Sequence, residues 1–207
     1  DYAAIGEGEK TFNQLAAGMP DAQVDGLAYW ENGKAVMSKQ SDEMIGKTES
    51  GSTTFLMQKD IYTLQVGKLK REFQLDIDDF GMPDWESIDP RSYNYEPHGM
   101  IIHARPMAPI ITTRGCPYSC TYCSAPITAG KRMRTRDPHK VVDEIEMLVN
   151  KYGVKEIQIE DDNFTLVREH CVAICEEILK RNIKIVWSLP NGVRIDKLDK
   201  ELLELMK

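Results

Sequence analysis

The second half of the chain switches between apolar runs of strand length and apolar positions at helical spacing. The segment "APIITT", residues 108–113, predicts a strand, and Asp137 followed by Pro138 predicts the start of a helix. Apolar side chains then recur along one helical face, and Gly153 is predicted to end the helix. That face consists of Val141, Ile145, Leu148 and Tyr152.

The same alternation continues towards the end of the chain. Residues 154–160 alternate as a strand, residues 183–188 form a third strand, and Asp199 is predicted to cap a third helix. This β-α-β-α-β-α order predicts a parallel sheet with right-handed crossovers, either in half of a barrel or in an open doubly wound sheet. The helical faces consist of Val167, Cys171, Ile174 and Ile178, and then of Leu202, Leu203 and Met206.

The first half of the chain has weaker patterns. The opening residues "YAAIG" predict a strand end, and Phe12 and Leu15 at helical spacing predict a helix with Gly18 as its C-cap. The segment "GLAYWENGKAV" predicts a hairpin that turns at Asn32–Gly33. Residues 31–105 have no strong period, but the aromatic stretch 82–99 predicts an ordered connection rather than a flexible linker.

Composition and charge narrow the class of protein. The chain has 207 residues and a net charge of −7, which argues against a broad nucleic-acid footprint. No apolar run is long enough to span a bilayer and the first residues do not resemble a signal peptide, so a cytoplasmic protein is expected. The chain lacks a first Met and stops within an amphipathic pattern, and we therefore expect an internal fragment of a longer protein.

Three of the five cysteines lie close together, directly after the first predicted strand of the second half. Cys116, Cys120 and Cys123 stand in a non-helical loop, and they offer three thiolates where a structural zinc ion or a ferredoxin cluster uses four protein ligands. Cys171 and Cys175 share a helical face with apolar residues and are predicted to be buried hydrophobic side chains. Three thiolates suit a [4Fe-4S] cluster with one open iron, and a zinc or other iron–sulfur module is the alternative.

The loop "CPYSCTYC" resembles the signature of the radical S-adenosylmethionine (SAM) superfamily, with Tyr122 in the aromatic place before the last cysteine. This resemblance implies a partial TIM-type barrel in which Cys116, Cys120 and Cys123 ligate three irons of a [4Fe-4S] cluster. The open iron then chelates SAM, and an electron from the cluster cleaves it to methionine and a 5'-deoxyadenosyl radical. It further implies an electron donor such as flavodoxin or ferredoxin.

The resemblance also suggests cofactor contacts downstream of the loop. The segment "IEDDNFT", residues 159–165, departs from the Gly-Gly-Glu common in the superfamily, but Asp161 and Asp162 are candidates to accept hydrogen bonds from the SAM ammonium group. The alternative is that Asp162 or Asn163 caps the next helix. Tyr122 is expected near the adenine. Arg194 is expected to meet SAM or substrate, with structural pairing to an Asp as its alternative.

The first residues carry a second resemblance. "DYAAIGEGEKTFNQL" is similar to the end of the cobalamin (B12)-binding domain that precedes many radical SAM barrels. This implies cobalamin contacts at Gly6, Glu7, Gly8 and Glu9, where the glycines allow the backbone to approach a bulky ligand. An acidic turn that caps a helix is the alternative, and one strand with one helix is not expected to enclose a corrinoid tightly.

The expected fold class is therefore α/β. Residues 1–30 are expected to be the C-terminal remnant of a Rossmann-like cobalamin-binding domain, residues 31–105 a connecting segment, and residues 106–207 the first half of a partial TIM-type radical SAM barrel.

The expected function is that of a cobalamin-dependent radical SAM enzyme acting on a small molecule by methyl transfer or ring-forming oxidation. A radical SAM enzyme without cobalamin, similar to a tRNA methylthiotransferase, is one alternative, and a non-catalytic Fe-S or zinc module is another. The basic stretch of residues 131–140, which carries Lys131, Arg132, Arg134 and Arg136, is expected to be a solvated face or to pair with carboxylates, with RNA contact a minor option.

Overall fold

The computed structural model describes residues 2–4, 8–38, 54–57, 61–66, 69–92 and 101–207. Two compact units are present, one formed by residues 1–76 and 117–131 and the other by residues 77–116 and 132–207. In chain order the helices and strands are β1 (Tyr2–Ala4), α1 (Gly8–Ala16), β2 (Leu27–Glu31), β3 (Lys34–Met37), β4 (Thr54–Met57), β5 (Ile61–Val66), β6 (Leu69–Gln74), β7 (Met107–Ile110), β8 (Thr113–Arg114), α2 (Ala125–Thr128), β9 (Arg134–Thr135), α3 (Pro138–Tyr152), β10 (Glu156–Ile159), α4 (Arg168–Lys180), β11 (Val186–Ser188) and α5 (Lys200–Met206).

The second unit contains the predicted parallel sheet. Its strand order is β11-β10-β7, and both pairings are parallel, with Glu156 opposite Met107 on one side and Val186 on the other. The main apolar core includes residues of this sheet and of helices α3, α4 and α5. The β-α-β-α-β-α order predicted from the sequence is confirmed. The fully buried members of the apolar core include Ala108, Val141, Ile145, Leu148, Ile157, Cys171, Ile174 and Leu202.

Helix α3 begins and ends where the sequence predicts. The Asp137 carboxylate accepts a hydrogen bond from the His139 backbone N–H at 2.7 Å, and Pro138 occupies the first helical position. At the other end Gly153 adopts a left-handed φ of 68°, and the Val154 N–H reaches back to the Leu148 carbonyl at 3.2 Å. This hydrogen bond satisfies one of the carbonyls that a helix terminus leaves without a partner.

Strand β10 is buried along its whole length, contrary to the predicted alternation of buried and exposed positions. Ile157 and Ile159 belong to the apolar core, but Glu156 and Gln158 are buried as well. The Glu156 carboxylate accepts the backbone N–H groups of His103 at 2.6 Å and Ala104 at 2.8 Å. A buried carboxylate is tolerated because these donors replace water.

Two local expectations are wrong. Strand β11 covers only the last three residues of the predicted run 183–188. Leu203 is half exposed, because α5 directs Leu202 rather than Leu203 into the core. The helix predicted from Phe12 and Leu15 is present as α1, in which Phe12 is 69% exposed and Thr11 is buried, with its hydroxyl donating to the Asp25 carbonyl at 2.8 Å.

The first unit contains antiparallel sheets. The strand and helix predicted at the start of the chain are β1 and α1, and Gly18 has the predicted left-handed backbone. Strands β1, β2 and β3 form one sheet, in which β2 and β3 are joined at Asn32–Gly33 with positive φ at both residues, as predicted. Strands β4, β5 and β6 form another, which the sequence pattern does not reveal. Among the described residues, no helix is long and apolar enough to cross a lipid bilayer.

Candidate functional site

The cysteine-bearing segment leaves the sheet at the carboxyl end of its edge strand. After β7, the short strand β8 pairs with β9 in antiparallel register, with Thr113 opposite Thr135 and Arg114 opposite Arg134. Residues 115–133, which include the three cysteines, therefore begin and end at this two-stranded ladder. In parallel α/β folds the carboxyl ends of the strands are where functional groups are concentrated.

The three loop cysteines are available as metal ligands. All five cysteines lie within the described residues and none forms a disulfide. Cys120 and Cys123 are exposed and Cys116 is half-buried. The Cys123 sulfur accepts the Ala125 backbone N–H at 3.4 Å.

The donor chemistry of this loop fits an iron–sulfur cluster, because iron–sulfur clusters select soft thiolate ligands. Cys116 belongs to the second unit, whereas Cys120 and Cys123 belong to the first. Across the part of the chain that the structure describes, no three His, Cys, Asp or Glu side chains are grouped closely enough to hold a metal ion. The three cysteines thus remain the predicted ligands, and their thiolates are of the kind that such a cluster uses.

Cys171 and Cys175 are buried on α4, as predicted. A hydrogen bond with the Cys175 thiol, together with burial, raises the pKa of Cys171. This thiol is therefore protonated at neutral pH and packs as a small apolar group.

Asp161 lies at the carboxyl end of β10 and is 2% exposed. Its Oδ1 accepts the backbone N–H groups of Thr112 at 2.7 Å and Thr113 at 3.0 Å, and its Oδ2 accepts the Thr112 hydroxyl at 2.5 Å. Burial raises the pKa of Asp161, and the hydrogen bonds from Thr112 and Thr113 oppose that rise. The carboxylate thus joins the end of β10 to the residues that lead into the cysteine loop.

His170 extends this group of buried polar side chains. Its Nε2 lies 3.1 Å from the Thr112 hydroxyl oxygen, and the ring is 5% exposed. Burial, with a smaller contribution from the Arg136 charge, lowers the pKa of His170 to about 4. The imidazole is therefore neutral at physiological pH.

Asp162 differs from its neighbour because its side chain is exposed. Desolvation raises its pKa. Neither Asp162 nor Asn163 is the N-cap of α4, where Val167 stands instead. Asn163 precedes the short 3-10 helix Phe164–Leu166 without a side-chain capping hydrogen bond. The Asn191 side-chain amide donates to the Glu160 carbonyl at 3.0 Å, so the residues after β11 contact the same strand end.

The remaining predicted contact residues are placed as follows. The Tyr122 ring is 92% exposed. The Arg194 guanidinium donates through Nε to Asp196 at 2.9 Å, which is the structural pairing considered from the sequence. Gly8 begins α1 and Glu9 lies in its first turn, whereas Gly6 and Glu7 lie outside the described residues.

The basic stretch is not a uniformly solvated face. Arg134 is buried, and the Arg136 guanidinium pairs with the fully buried Glu144 at 2.6 Å. The Lys131 ammonium donates to the Ser119 hydroxyl at 2.8 Å. Of the two expectations for this stretch, pairing with carboxylates describes Arg136, and the solvated face is wrong for Arg134.

A cavity of about 330 Å³ lies beside the ends of β7 and β10 within the second unit. Its wall is mostly apolar and includes Trp85, Ile110 and Ile111, and Arg114 and Glu160 are its polar members at the strand ends. Arg114 lies over the Phe80 ring at 4.9 Å. A concave apolar wall with a few polar groups is typical of a ligand site.

Sequence reasoning did not identify Thr112, Thr113 or His170 as parts of the site. A threonine pair at a strand end has no distinctive pattern, and His170 occupies an ordinary helical position. The one available signal was "EDD" itself, because a run of acidic residues at a buried strand end needs donors nearby.

Residues 110–207 match the sequence model of the Radical SAM superfamily. The chain is 39% identical over 127 residues to the anaerobic magnesium-protoporphyrin IX monomethyl ester cyclase of Cereibacter sphaeroides, covering 60% of this chain and 20% of the cyclase. It is 26% identical over 220 residues to the cytidylyl-2-hydroxyethylphosphonate methyltransferase of Streptomyces wedmorensis, covering 100% of this chain and 38% of that enzyme. The chain thus spans well under half the length of these relatives.

A solved structure supports the fold. The radical S-adenosylmethionine methyltransferase TsrM from Kitasatospora setae, determined with cobalamin and a [4Fe-4S] cluster bound, superposes with a TM-score of 0.51 over 88% of this chain and 30% of that protein. The two sequences are 22% identical, so this likeness concerns the fold. By sequence, residues 110–207, which carry the cysteine motif and two strands of the parallel sheet, match the radical SAM superfamily.

Proposed function

We propose that the chain is the cluster-binding part of a cobalamin-dependent radical SAM enzyme. The observation that carries this proposal is the loop with three cysteines at the carboxyl end of a parallel sheet, inside the region that matches the superfamily. The enzyme acts on a small molecule by methyl transfer or by ring-forming oxidation, the two reaction types that its curated relatives represent.

Cys116, Cys120 and Cys123 would hold the cluster in this proposal. Cys171 and Cys175 do not compete as ligands, because both are buried on α4 and are hydrogen-bonded to each other as thiols. One iron therefore stays open for SAM. When bound, the cluster supplies the electron that cleaves SAM to methionine and a 5'-deoxyadenosyl radical, and a flavodoxin or ferredoxin is the proposed electron donor.

The chain's other residues bind and orient the cofactors. Asp162, exposed at the end of β10, is the proposed acceptor for the SAM ammonium group. The exposed Tyr122 ring is proposed to stack on the adenine, and Arg194 to meet a carboxylate of SAM or substrate. The cavity beside β7 and β10 would receive an apolar part of the ligand.

Cobalamin is assigned to the first residues. Gly6, Glu7, Gly8 and Glu9 are the proposed contacts, of which Gly8 begins α1 and Glu9 lies in its first turn. The solved methyltransferase of the same fold holds cobalamin together with a [4Fe-4S] cluster, which supports this pairing of cofactors.

Anaerobic reconstitution of the full-length protein tests the proposal. With dithionite and SAM, the wild-type protein should load iron and sulfide and release 5'-deoxyadenosine, and Cys120→Ala should do neither. Cys171→Ala is the matched control, because it removes a cysteine that the structure places in the core, and it should keep the cluster. A fully loaded protein that yields no 5'-deoxyadenosine would favour a non-catalytic Fe-S module instead.

The cobalamin assignment needs a separate measurement. The full-length protein should bind hydroxocobalamin with a visible absorption shift, and substrate turnover should depend on it. Turnover of a tRNA substrate without cobalamin would favour the methylthiotransferase alternative and contradict this part of the proposal.

A further inference from the structure

We infer that Asp161 is a positioning residue for the cysteine loop rather than a contact for SAM. It acts through a hydrogen-bonded chain that runs from His170 through Thr112 to the Asp161 carboxylate. The inference deepens the proposed function, since it rests on the loop being the cluster site.

The first step is the geometry of the carboxylate. Asp161 follows β10, yet its three donors come from Thr112 and Thr113, which follow the neighbouring strand β7. Both of its oxygens are engaged, and the side chain is 2% exposed. The ammonium group of SAM would have to displace these donors to reach the Asp161 carboxylate. The adjacent Asp162, by contrast, is exposed.

The second step is the direction of the hydrogen bonds. The Thr112 hydroxyl has one proton, and an ionised Asp161 carboxylate can only accept it, at 2.5 Å. The 3.1 Å contact to His170 then requires the ring Nε2 to donate to the hydroxyl oxygen. Because the lowered pKa of His170 keeps the ring neutral, the proton resides on Nε2.

The third step is the effect on the loop. The Thr112 carbonyl accepts the Arg136 backbone N–H, and the Ile111 carbonyl accepts the Arg136 guanidinium, both at 2.9 Å. Thr112 is therefore held on one side by Asp161 and on the other by the returning strand. Since Cys116 lies four residues further on, the Asp161 carboxylate fixes the backbone that enters the cysteine loop.

The test compares Asp161→Asn with Asp162→Asn in the full-length protein. In the cluster-free state, hydrogen exchange of the Thr112 and Thr113 amides should be about tenfold faster in Asp161→Asn, the factor expected from losing roughly one charge-assisted hydrogen bond. Asp162→Asn should leave it unchanged. After reconstitution, Asp161→Asn should take up less iron and give an altered electron paramagnetic resonance signal, with unchanged SAM affinity for the loaded fraction.

Asp162→Asn should show the opposite pattern, with full iron content and weaker SAM binding. If Asp161→Asn instead loads a normal cluster, keeps slow amide exchange and loses SAM affinity, the inference is overturned. If Asp161→Asn does not fold, Thr112→Val is the second variant. It replaces only the hydroxyl and should also alter the electron paramagnetic resonance signal of the reduced cluster. An unaltered signal and iron content in Thr112→Val would then contradict the inference.

Amide exchange is measured without a cluster, so it tests the positioning role of Asp161 separately from the proposed cluster-binding function. If the wild-type protein takes up no [4Fe-4S] cluster, the proposed function fails, and the exchange result still reports whether Asp161 holds residues 112–113.

Discussion

Several polar side chains in the second unit are buried and have specific partners, so they affect its stability. Asp161, His170, Glu144 and Glu156 are each less than 6% exposed, and each has specific hydrogen-bond or charge partners. A buried polar group whose partner is removed costs far more than the bond contributed. Substitutions at these residues should therefore have clear effects on stability.

His170 predicts a dependence of stability on pH. Its pKa is lowered from 6.5 to about 4 in the folded chain, because burial and the Arg136 charge disfavour the imidazolium form, while Asp78 opposes this. Between these two pH values the unfolded chain binds the proton and the folded chain does not, so stability falls as pH falls. We expect the free energy of unfolding to drop by about 2 to 3 kcal/mol from this residue.

Urea denaturation at several pH values measures this effect. His170→Gln should have a flatter profile between pH 6.5 and 4.5 than the wild type. Carboxylates with lowered pKa, such as Glu177 at about 2, lose their contribution at lower pH and should affect both proteins equally. Identical slopes in the two proteins would contradict the assignment.

Glu144 predicts a large stability loss on truncation. Its carboxylate accepts the Trp85 indole N–H at 2.8 Å and pairs with Arg136 at 2.6 Å, and it is fully buried. Glu144→Ala should cost about 3 to 5 kcal/mol, because the mostly buried Arg136 guanidinium then loses its nearer carboxylate partner and keeps the Ile111 carbonyl and the more distant Asp78. It should also change the fluorescence of Trp85.

The control for Glu144 is Glu146→Ala on the same helix. Glu146 is more exposed and pairs with Arg181 at the surface, so its loss should cost less than about 1 kcal/mol. Equal costs at the two positions would show that burial is not the deciding factor.

Among the helices and strands, those with local signals were predictable from the sequence. Helix α3 has its cap, its first proline and its terminal glycine in the predicted places. Strand β6, "LKREFQ", was not recognised, because its apolar residues Leu69 and Phe73 are four apart, a spacing that suits a helix better than a strand. It is a strand because β5 pairs with it along its whole length.

The end of α3 gives a test at this scale. Gly153 has a left-handed φ of 68°, and a Cβ there would meet nothing within 4 Å. Gly153→Ala should therefore cost about 1 to 2 kcal/mol from backbone conformation alone. Gly153→Asn should cost less, because Asn tolerates this region, and chemical denaturation would reveal the order. An alanine variant as stable as the wild type would contradict the assigned terminus.

The candidate site was predictable in part for the same reason. The spacing of Cys116, Cys120 and Cys123 is local, and its resemblance to the radical SAM signature was sufficient to indicate the family that residues 110–207 match. The partners of Asp161 are about 50 residues away in the chain, and the partner of His170 is 58 residues away. Such contacts depend on which strands become neighbours, and periodicity does not specify individual side-chain pairs.

For the whole molecule, the main core is independent of the cysteine loop. None of the buried residues of that core lies between residues 111 and 140. Removing iron from the reconstituted protein with a chelator should therefore leave the far-ultraviolet circular dichroism unchanged. Thermal unfolding of the parallel sheet should also remain cooperative. Loss of helical signal together with the iron would contradict this expectation.

The short ladder between β8 and β9 is made of backbone hydrogen bonds and requires no metal. If the cysteine loop holds a cluster as proposed, the polypeptide would be able to fold before the cluster is inserted. A cluster lost from the loop could then be rebuilt on the same folded polypeptide. In zinc fingers, by contrast, the metal and the fold are acquired and lost together.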